Sequence, residues 1–577
     1  MSIGIIIGNL CLIKIKYLEI YSANRIRHLI LYRNKIHHFY KCHEKIPPVM
    51  EEEKIEFFIV VVSDYHGILL NLEYAKNDIS LFESRGAFIV NLTDSHGMLY
   101  IGRQGSFFNR FIDIKNDGRP IGPVLFYPAI YYENSKHFEE NTALIQLRAR
   151  HDLSTDTKFI CISENSTNTV VSETSPESIH LVNKFCYFHT FIAACKTVTN
   201  PRSLKLTSLD AENRSISLPI ELPIREKLEV VTCGSPSFFT ERWQQAALAI
   251  EILNFYGVSR QVYYFMSSAA GFYDLLKAYE KLRIVDVVLW TVPDIPEIDS
   301  KKQLYMRDQM AAVNDCYQRY REAAEFIIVH DMDDLIFLPE GKKYYDEFKR
   351  IFQLNPDAAF IHYGSYTSSL KASRIGEKFD LEMVLKSVEV SGLKDVGKTV
   401  LDPKKTKSIW VHYPQFIPVS LKPYEVPAKD GLIIHMRNWE VYGEESYHTP
   451  YFKVAGVNKH YPKVTSLLNP EQIRNISESW DTHYEYFKSV GFITSLRSTD
   501  YYHRSIDGCV KIIGGDGYKI VGCRTVYSCI IEPVKNFECI QSRQQWQKHT
   551  LVEGKFDAYL PLGSPMLEKK MNGCTLE

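Results

Sequence analysis

Between residues 228 and 330 the hydrophobic period of the chain switches repeatedly between that of a strand and that of a helix. "LEVVTC" is a short apolar run with strand character. "FTERWQQAALAIEILNFYG" places Trp243, Ala246, Ala247, Ile250 and Leu253 at helical spacing and ends on Gly257, with Thr240 available to cap its start. "RQVYYFM" predicts a strand, "AGFYDLLKAYEKL" a helix, "VDVVLWTV" a strand, "QLYMRDQMAAVNDCYQRYREAAE" a long helix and "FIIVH" a strand. Such β-α-β-α-β-α-β alternation demands an α/β fold, with a parallel sheet and helices packed on its faces. Ligands of such sheets bind outside the carboxyl ends of the strands.

The last of these strands runs directly into Asp331, Asp333 and Asp334, in "FIIVHDMDDLIFL". Like charges crowded at the end of a core strand are unfavourable unless a cation offsets them. Three readings compete. In the first, carboxylates at i and i+2 aim at one divalent ion, Mn²⁺ or Mg²⁺ by their hard oxygen chemistry. The ion neutralises a leaving nucleoside diphosphate, as in a nucleotide-sugar glycosyltransferase. In the second, Asp331 is the nucleophile and Asp333 the acid of a haloacid-dehalogenase-type phosphatase. That motif expects Thr where Leu335 stands, and "IIGGDGYKI" has Ile520 where an acid belongs. In the third, the acids cap a helix or pair with arginines, as in a catalytically inactive transferase-like binding protein. A bare Asp-x-Asp does not choose among them; its place at the end of the fourth alternating strand favours the first.

The remaining sequence sets the surroundings. A chain of 577 residues has room for several domains. The expected division is a basic leader or remnant anchor at 1–50, a β-rich domain at 51–225, the α/β domain at 226–460 and an irregular cysteine-containing extension at 461–577. A net charge of −1 removes any bulk electrostatic case for nucleic acid. None of the twelve cysteines forms a CxxC pair, so zinc ribbons and thioredoxin-like motifs have no support. Cys509, Cys523, Cys529 and Cys539 read as disulfide-forming in an oxidising compartment. Sequons at Asn91, Asn165, Asn213 and Asn475 permit a secretory location. The apolar "IGIIIGNLCLI" is shorter than the roughly 20 residues of a membrane-spanning helix and suits a signal core or anchor remnant. Downstream, "AAFIHYGSY", "SIWVHYP" and "GLIIHMRNW" predict strands.

Several ordered motifs over residues 228–440 resemble glycosyltransferase family 92: "FFTERWQQAALAIEILNFYGVSRQVYYFMSS", "YEKLRIVDVVLW", "RDQMAAVNDCYQRYREAAEFIIVHDMDD", "YYDEFKRIF", "IWVHYP" and "IIHMRNW". The resemblance implies a GT-A fold, a UDP-sugar donor (galactose in the best-understood members), a divalent metal and inverting transfer to a glycan acceptor. It also implies type II topology facing the Golgi lumen. Carried onto this sequence, Asp331 and Asp333 are the metal and diphosphate ligands and Asp334 positions them. Arg307, with Gln309, lies on the helix before them, where Arg307 either faces the diphosphate or an acid or makes a surface salt bridge. His412 and His435 are candidates to complete the metal sphere. Arg437 follows His435 by two residues, on the same strand face, within reach of phosphate. Glu440, Glu444 and Glu445 are candidate general bases, with no choice among them. Trp243 and Cys316 read as core; a Cys233–Cys316 bridge is conceivable, though nothing in the sequence supports it. His330 stands where the family often has an apolar residue, and "IHYGSYTSS" lacks a lysine the family often carries there.

Overall fold

The computed structural model describes strands between Ile3 and Tyr74, and residues 121–575 apart from 152, 154–156, 181–185, 210, 212–213, 296–297, 305–307, 443–467, 515–522 and 524. Met1–Lys115 is a unit of its own, in which Ile3–Ile7 pairs antiparallel with Cys11–Ile15, and Ile55–Val62 with Gly67–Tyr74. The leader or anchor expected over 1–50 falls largely outside the described residues. Among the described residues no helix is long and apolar enough to cross a membrane.

The alternating segment forms the expected parallel core. Its strands are β1 (Leu228–Gly234), β2 (Arg260–Phe265), β3 (Val285–Leu289) and β4 (Ala324–His330), in the order β3-β2-β1-β4 and all parallel. Helices α1 (Trp243–Phe255), α2 (Ala270–Lys281) and α3 (Gln309–Tyr320) make the crossovers. Because helices cover the sheet, β1 and β4 are buried almost throughout, which is why they read as continuous apolar runs. Gly257, at φ +86°, ends α1 in the left-handed conformation that glycine adopts without strain.

Beyond β4 the sheet continues with β5 (Asp334–Phe337), then, after α4 (Tyr344–Leu354), with β6 (Ala358–Ser373), β7 (Glu389–Leu401), β8 (Lys422–Val426) and β9 (Leu432–Tyr442). The order extends as β4-β7-β6-β9-β5, with β8 alongside β6. One apolar core runs through sheet and helices, including Trp243, Phe265, Ile328, Phe348 and Ile433, and Trp480 from α5 (Pro470–Ser489).

A β-sandwich packs beside this sheet. One of its sheets contains Phe188–Lys196, Thr142–Arg150, Gly122–Phe126, Phe556–Lys570 and Cys539–Val552; the other contains Thr169–Thr174, Phe159–Glu164, Ser203–Ser208 and Ile216–Leu218. Val124, Phe126, Leu147, Phe159, Leu206 and Phe556 fill the space between them. The C-terminal residues are therefore not irregular at their end: a long hairpin completes the sheet begun at Gly122. Ser267–Ala269, directly after β2, pairs with Cys539–Val552 and ties the two sheets together. Asp308, the residue before α3, forms a buried ion pair with Arg148 of the sandwich and accepts a hydrogen bond from Trp290 Nε1 at 2.8 Å.

Several local expectations change. Thr240 does not cap α1, whose N-cap is Arg242 without a side-chain bond. The helix expected over 303–325 is confined to Gln309–Tyr320, preceded by a short 3₁₀ turn at Ser300–Gln303. "SIWVHYP" is bends and loop rather than strand, and Pro414 is in keeping with that. The cysteine bunch does not pair wholly within itself. Cys509 joins Cys529, but Cys523 joins Cys186 and Cys539 joins Cys574; Cys161–Cys195 and a Cys233–Cys316 bridge complete the set.

Candidate active site

The chain leaves β4 at His330 and turns through Asp331–Asp333 into β5, the turn closing with Asp334 N donating to Asp331 O at 2.9 Å. β5 then pairs antiparallel with β9, setting Asp334 opposite His435, and Met436 N donates to Asp333 O at 2.7 Å. The acids are thus pinned between the end of a parallel strand and an antiparallel neighbour, at the carboxyl end where ligands bind such sheets.

Each acid has its own surroundings. Asp331 accepts from Gln309 Nε2 at 2.8 Å, from Lys398 Nζ at 2.7 Å and from Ser235 Oγ. Lys398 projects from β7, is 1% exposed, and also lies 3.6 Å from Asp334 Oδ2. Asp333 Oδ2 faces His435 Nε2 at 3.1 Å. The other ring nitrogen of His435, Nδ1, lies 3.2 Å from Asp395 Oδ2. Asp334 is 5% exposed, and its Oδ1 is buried with no hydrogen-bond partner among the described residues.

These surroundings divide the acids electrically. Burial opposes ionisation of Asp331, but the Lys398 ammonium and the Ser235 hydroxyl outweigh it and hold the carboxyl well below the usual range. Burial opposes Asp333 too, and His435 reverses the balance downward. At Asp334 burial wins despite Lys398 and His435, and the carboxyl is pushed up to about 7. His435 itself is raised to about 11: burial works against the cation, but the bonds to Asp333 and Asp395 dominate.

Asp333, Asp334 and His435 each offer one ligand atom, all within 4.8 Å of one another. Two hard carboxylates and an imidazole suit a divalent cation of the Mn²⁺ or Mg²⁺ type. Asp334 Oδ1, which accepts no hydrogen bond among the described residues and lies 4.0 Å from His435 Nδ1, fits the same conclusion. So does Asp395, which holds Nδ1 and leaves Nε2 directed at Asp333, as carboxylates do behind metal-binding histidines.

The site differs in membership from the sequence expectation of Asp331, Asp333, His435 and His412. Asp331 is drawn to Lys398, Gln309 and Ser235, and Asp334 takes its place beside Asp333 and His435. His412 is not in that group: its Nδ1 lies 3.0 Å from Gly397 O, in a loop instead of a strand, and burial lowers its pKa to about 4. Arg437 reaches Asp507 at 3.4 Å, and Glu440 pairs with Lys371 at 3.0 Å. Arg307, Glu444 and Glu445 lie outside the described residues. His330 is buried with Nδ1 2.9 Å from Asp331 O, so it packs under the turn. Sequence reasoning missed Lys398, Asp395 and Ser235. The signal for the first two was present in "SGLKDVGKTVL", whose small and charged residues hid a strand.

The glycosyltransferase family 92 model matches residues 228–484. A Caenorhabditis elegans glycosyltransferase family 92 protein is 28% identical over 372 residues, which cover 61% of this chain and 68% of the relative. A second from the same organism is 27% identical over 370 residues, covering 61% of this chain and 70% of its own. Sheet, acid cluster and relatives together define the class as a glycosyltransferase. Residues 228–484 are thus similar to glycosyltransferase family 92, which favours the transferase over the phosphatase reading.

Proposed function

We propose that this protein is a metal-dependent glycosyltransferase of GT-A type that moves a sugar, galactose as first choice, from a UDP-sugar to a glycan acceptor with inversion. The observation that carries the reading is the convergence of Asp333, Asp334 and His435 at the end of β4. A divalent cation held there supplies charge neutralisation to a leaving diphosphate. The protein's own groups do the rest. Asp333, Asp334 and His435 hold the cation. Lys398 balances the charge of Asp331 and Asp334, and Gln309 and Ser235 fix the Asp331 side chain, so the turn keeps its shape when unliganded.

The reading places the protein in the secretory pathway, in the Golgi membrane or lumen. Ten cysteines form five disulfides among the described residues, and such pairing is rare where glutathione keeps thiols reduced.

A nucleotide-sugar panel with Mn²⁺ and a glycan acceptor array tests the function. The expected result is product from one UDP-sugar, dependent on metal. Absence of any metal-dependent nucleotide binding would return the chain to the inactive, binding-protein alternative.

A further inference from the structure

The family match ends at residue 484, yet a later helix, α6 (Tyr501–Gly514), is fastened to the site. Glu241, buried just before α1, accepts from Thr499 N at 3.1 Å, Thr499 Oγ1 at 2.6 Å and His503 N at 3.2 Å, and so caps the first turn of α6 from outside. Its neighbour Arg242 holds Asp500 at 2.6 Å in a buried pair, and its Nη1 lies 3.5 Å from Arg437 O. One turn along α6, Asp507 meets Arg437. Arg437 is two residues from His435, and the residue between them, Met436, is buried while both of its neighbours are partly or fully exposed. His503 and Asp507 are four apart and share a helix face. That face is the one turned toward β9, and the charge of Asp333 bears on the His503 imidazole. The ring makes no hydrogen bond among the described residues.

We propose that α6 is the acceptor-side wall of the active site and that His503 is the base for transfer. In this step the acceptor oxygen bonds to the anomeric carbon. The bond from that carbon to the diphosphate oxygen breaks, its electron pair leaving with the diphosphate. The hydroxyl proton passes to a ring nitrogen of His503. The proposal rests on the inverting glycosyltransferase reading.

The chemistry suits this residue. The acceptor hydroxyl becomes strongly acidic as its new bond forms, so a weak base suffices, and carboxylates commonly do the equivalent work in glycoside hydrolysis. Burial, with Arg242, lowers His503 to about 4 against the opposing pull of Asp500, Asp507 and Asp333, leaving it uncharged at neutral pH with the strength of a carboxylate.

The test compares His503→Ala and His503→Gln with wild type, using the donor found by the panel, the alcohol acceptor, and azide as an acceptor with no proton to lose. The expected result is a fall of about 100-fold or more in kcat for the alcohol, with Mn²⁺–UDP affinity and azide transfer within about threefold of wild type. Alcohol transfer within about threefold of wild type in both variants overturns the proposal. So does a parallel loss of azide transfer, or loss of nucleotide affinity with a lowered Tm, either of which assigns His503 to the fold. A wild-type protein inert toward every donor overturns the glycosyltransferase reading itself.

Discussion

Asp333 and His435 meet across the pairing of β5 with β9, Oδ2 and Nε2 standing 3.1 Å apart, while Asp395 holds the far side of the imidazole at 3.2 Å. Carboxylate, imidazole, carboxylate is the arrangement that fixes which ring nitrogen is offered to a metal. Asp395→Asn should therefore weaken Mn²⁺ binding by about 10- to 100-fold while leaving the fold intact. His435→Ala should weaken it more. Calorimetric titration of Mn²⁺ into each variant reads the difference, and an unchanged affinity in Asp395→Asn would remove that residue from the metal's support.

The two raised groups make metal binding dependent on pH. Near neutrality in the metal-free protein His435, at about 11, carries a proton and Asp334, at about 7, carries one part of the time. Ligation requires their release, so apparent Mn²⁺ affinity should rise with pH, by up to about tenfold per pH unit for each proton displaced. Titrations at several pH values between about 6 and 8 check the sign. A flat or falling profile contradicts this protonation pattern.

Stability without metal should show the same acid. Asp334 is raised above its unfolded value by burial, so its contribution is present below the unfolded pKa and is lost as pH rises through about 7. Asp334→Asn has no such loss. Wild type should therefore lose Tm relative to this variant as pH rises from the usual carboxylate range to above neutrality. Equal shifts in both proteins would show that Asp334 ionises normally.

Lys398 is the cation already built into the cluster. Lys398→Met leaves the buried Asp334 and the partly exposed Asp331 without it, which should destabilise the metal-free protein by about 3–5 kcal/mol. Added Mn²⁺ should recover part of the loss, because a bound cation replaces the missing charge. Melting curves with and without Mn²⁺ decide the matter; a loss that Mn²⁺ leaves untouched would mean that Lys398 matters through packing alone.

The disulfides and the sequons are linked by compartment. Asn165 sits at the tip of the Phe159–Glu164/Thr169–Thr174 hairpin, where its Oδ1 accepts from Thr167 N at 2.9 Å and Thr167 Oγ1 at 3.2 Å. Asn475 lies within α5, and Ser477 of its sequon is buried and bonded to Ile473 O. Secreted protein should carry a glycan at Asn165, detected as a mass shift removed by peptide N-glycosidase and absent from Asn165→Gln. An unmodified Asn165 in protein whose disulfides have formed contradicts the expectation.

The parallel core was legible because each of its elements buries a continuous face, and burial writes period into sequence. The strand end and its acids followed from that, whereas His435 was singled out through the family resemblance. What escaped the sequence depends on pairing between distant segments. Lys398 and Asp395 lie on β7, whose "SGLKDVGKTVL" alternates too little to announce a strand, and only its pairing with β4 and β6 carries them to the acids. His412 was misplaced because "IWVHYP" has the composition of a strand without becoming one. The C-terminal hairpin was unreadable for a similar reason: its partner strand, Gly122–Phe126, lies more than four hundred residues earlier.

The central claim is that Asp333, Asp334 and His435 hold a cation that recruits a nucleoside diphosphate. UDP binding measured by calorimetry with and without Mn²⁺, in wild type and in Asp333→Ala, tests it most directly. The account predicts saturable UDP binding that requires Mn²⁺ in the wild type and disappears in Asp333→Ala at unchanged Tm. UDP binding that ignores the metal, or that survives in Asp333→Ala, would contradict it.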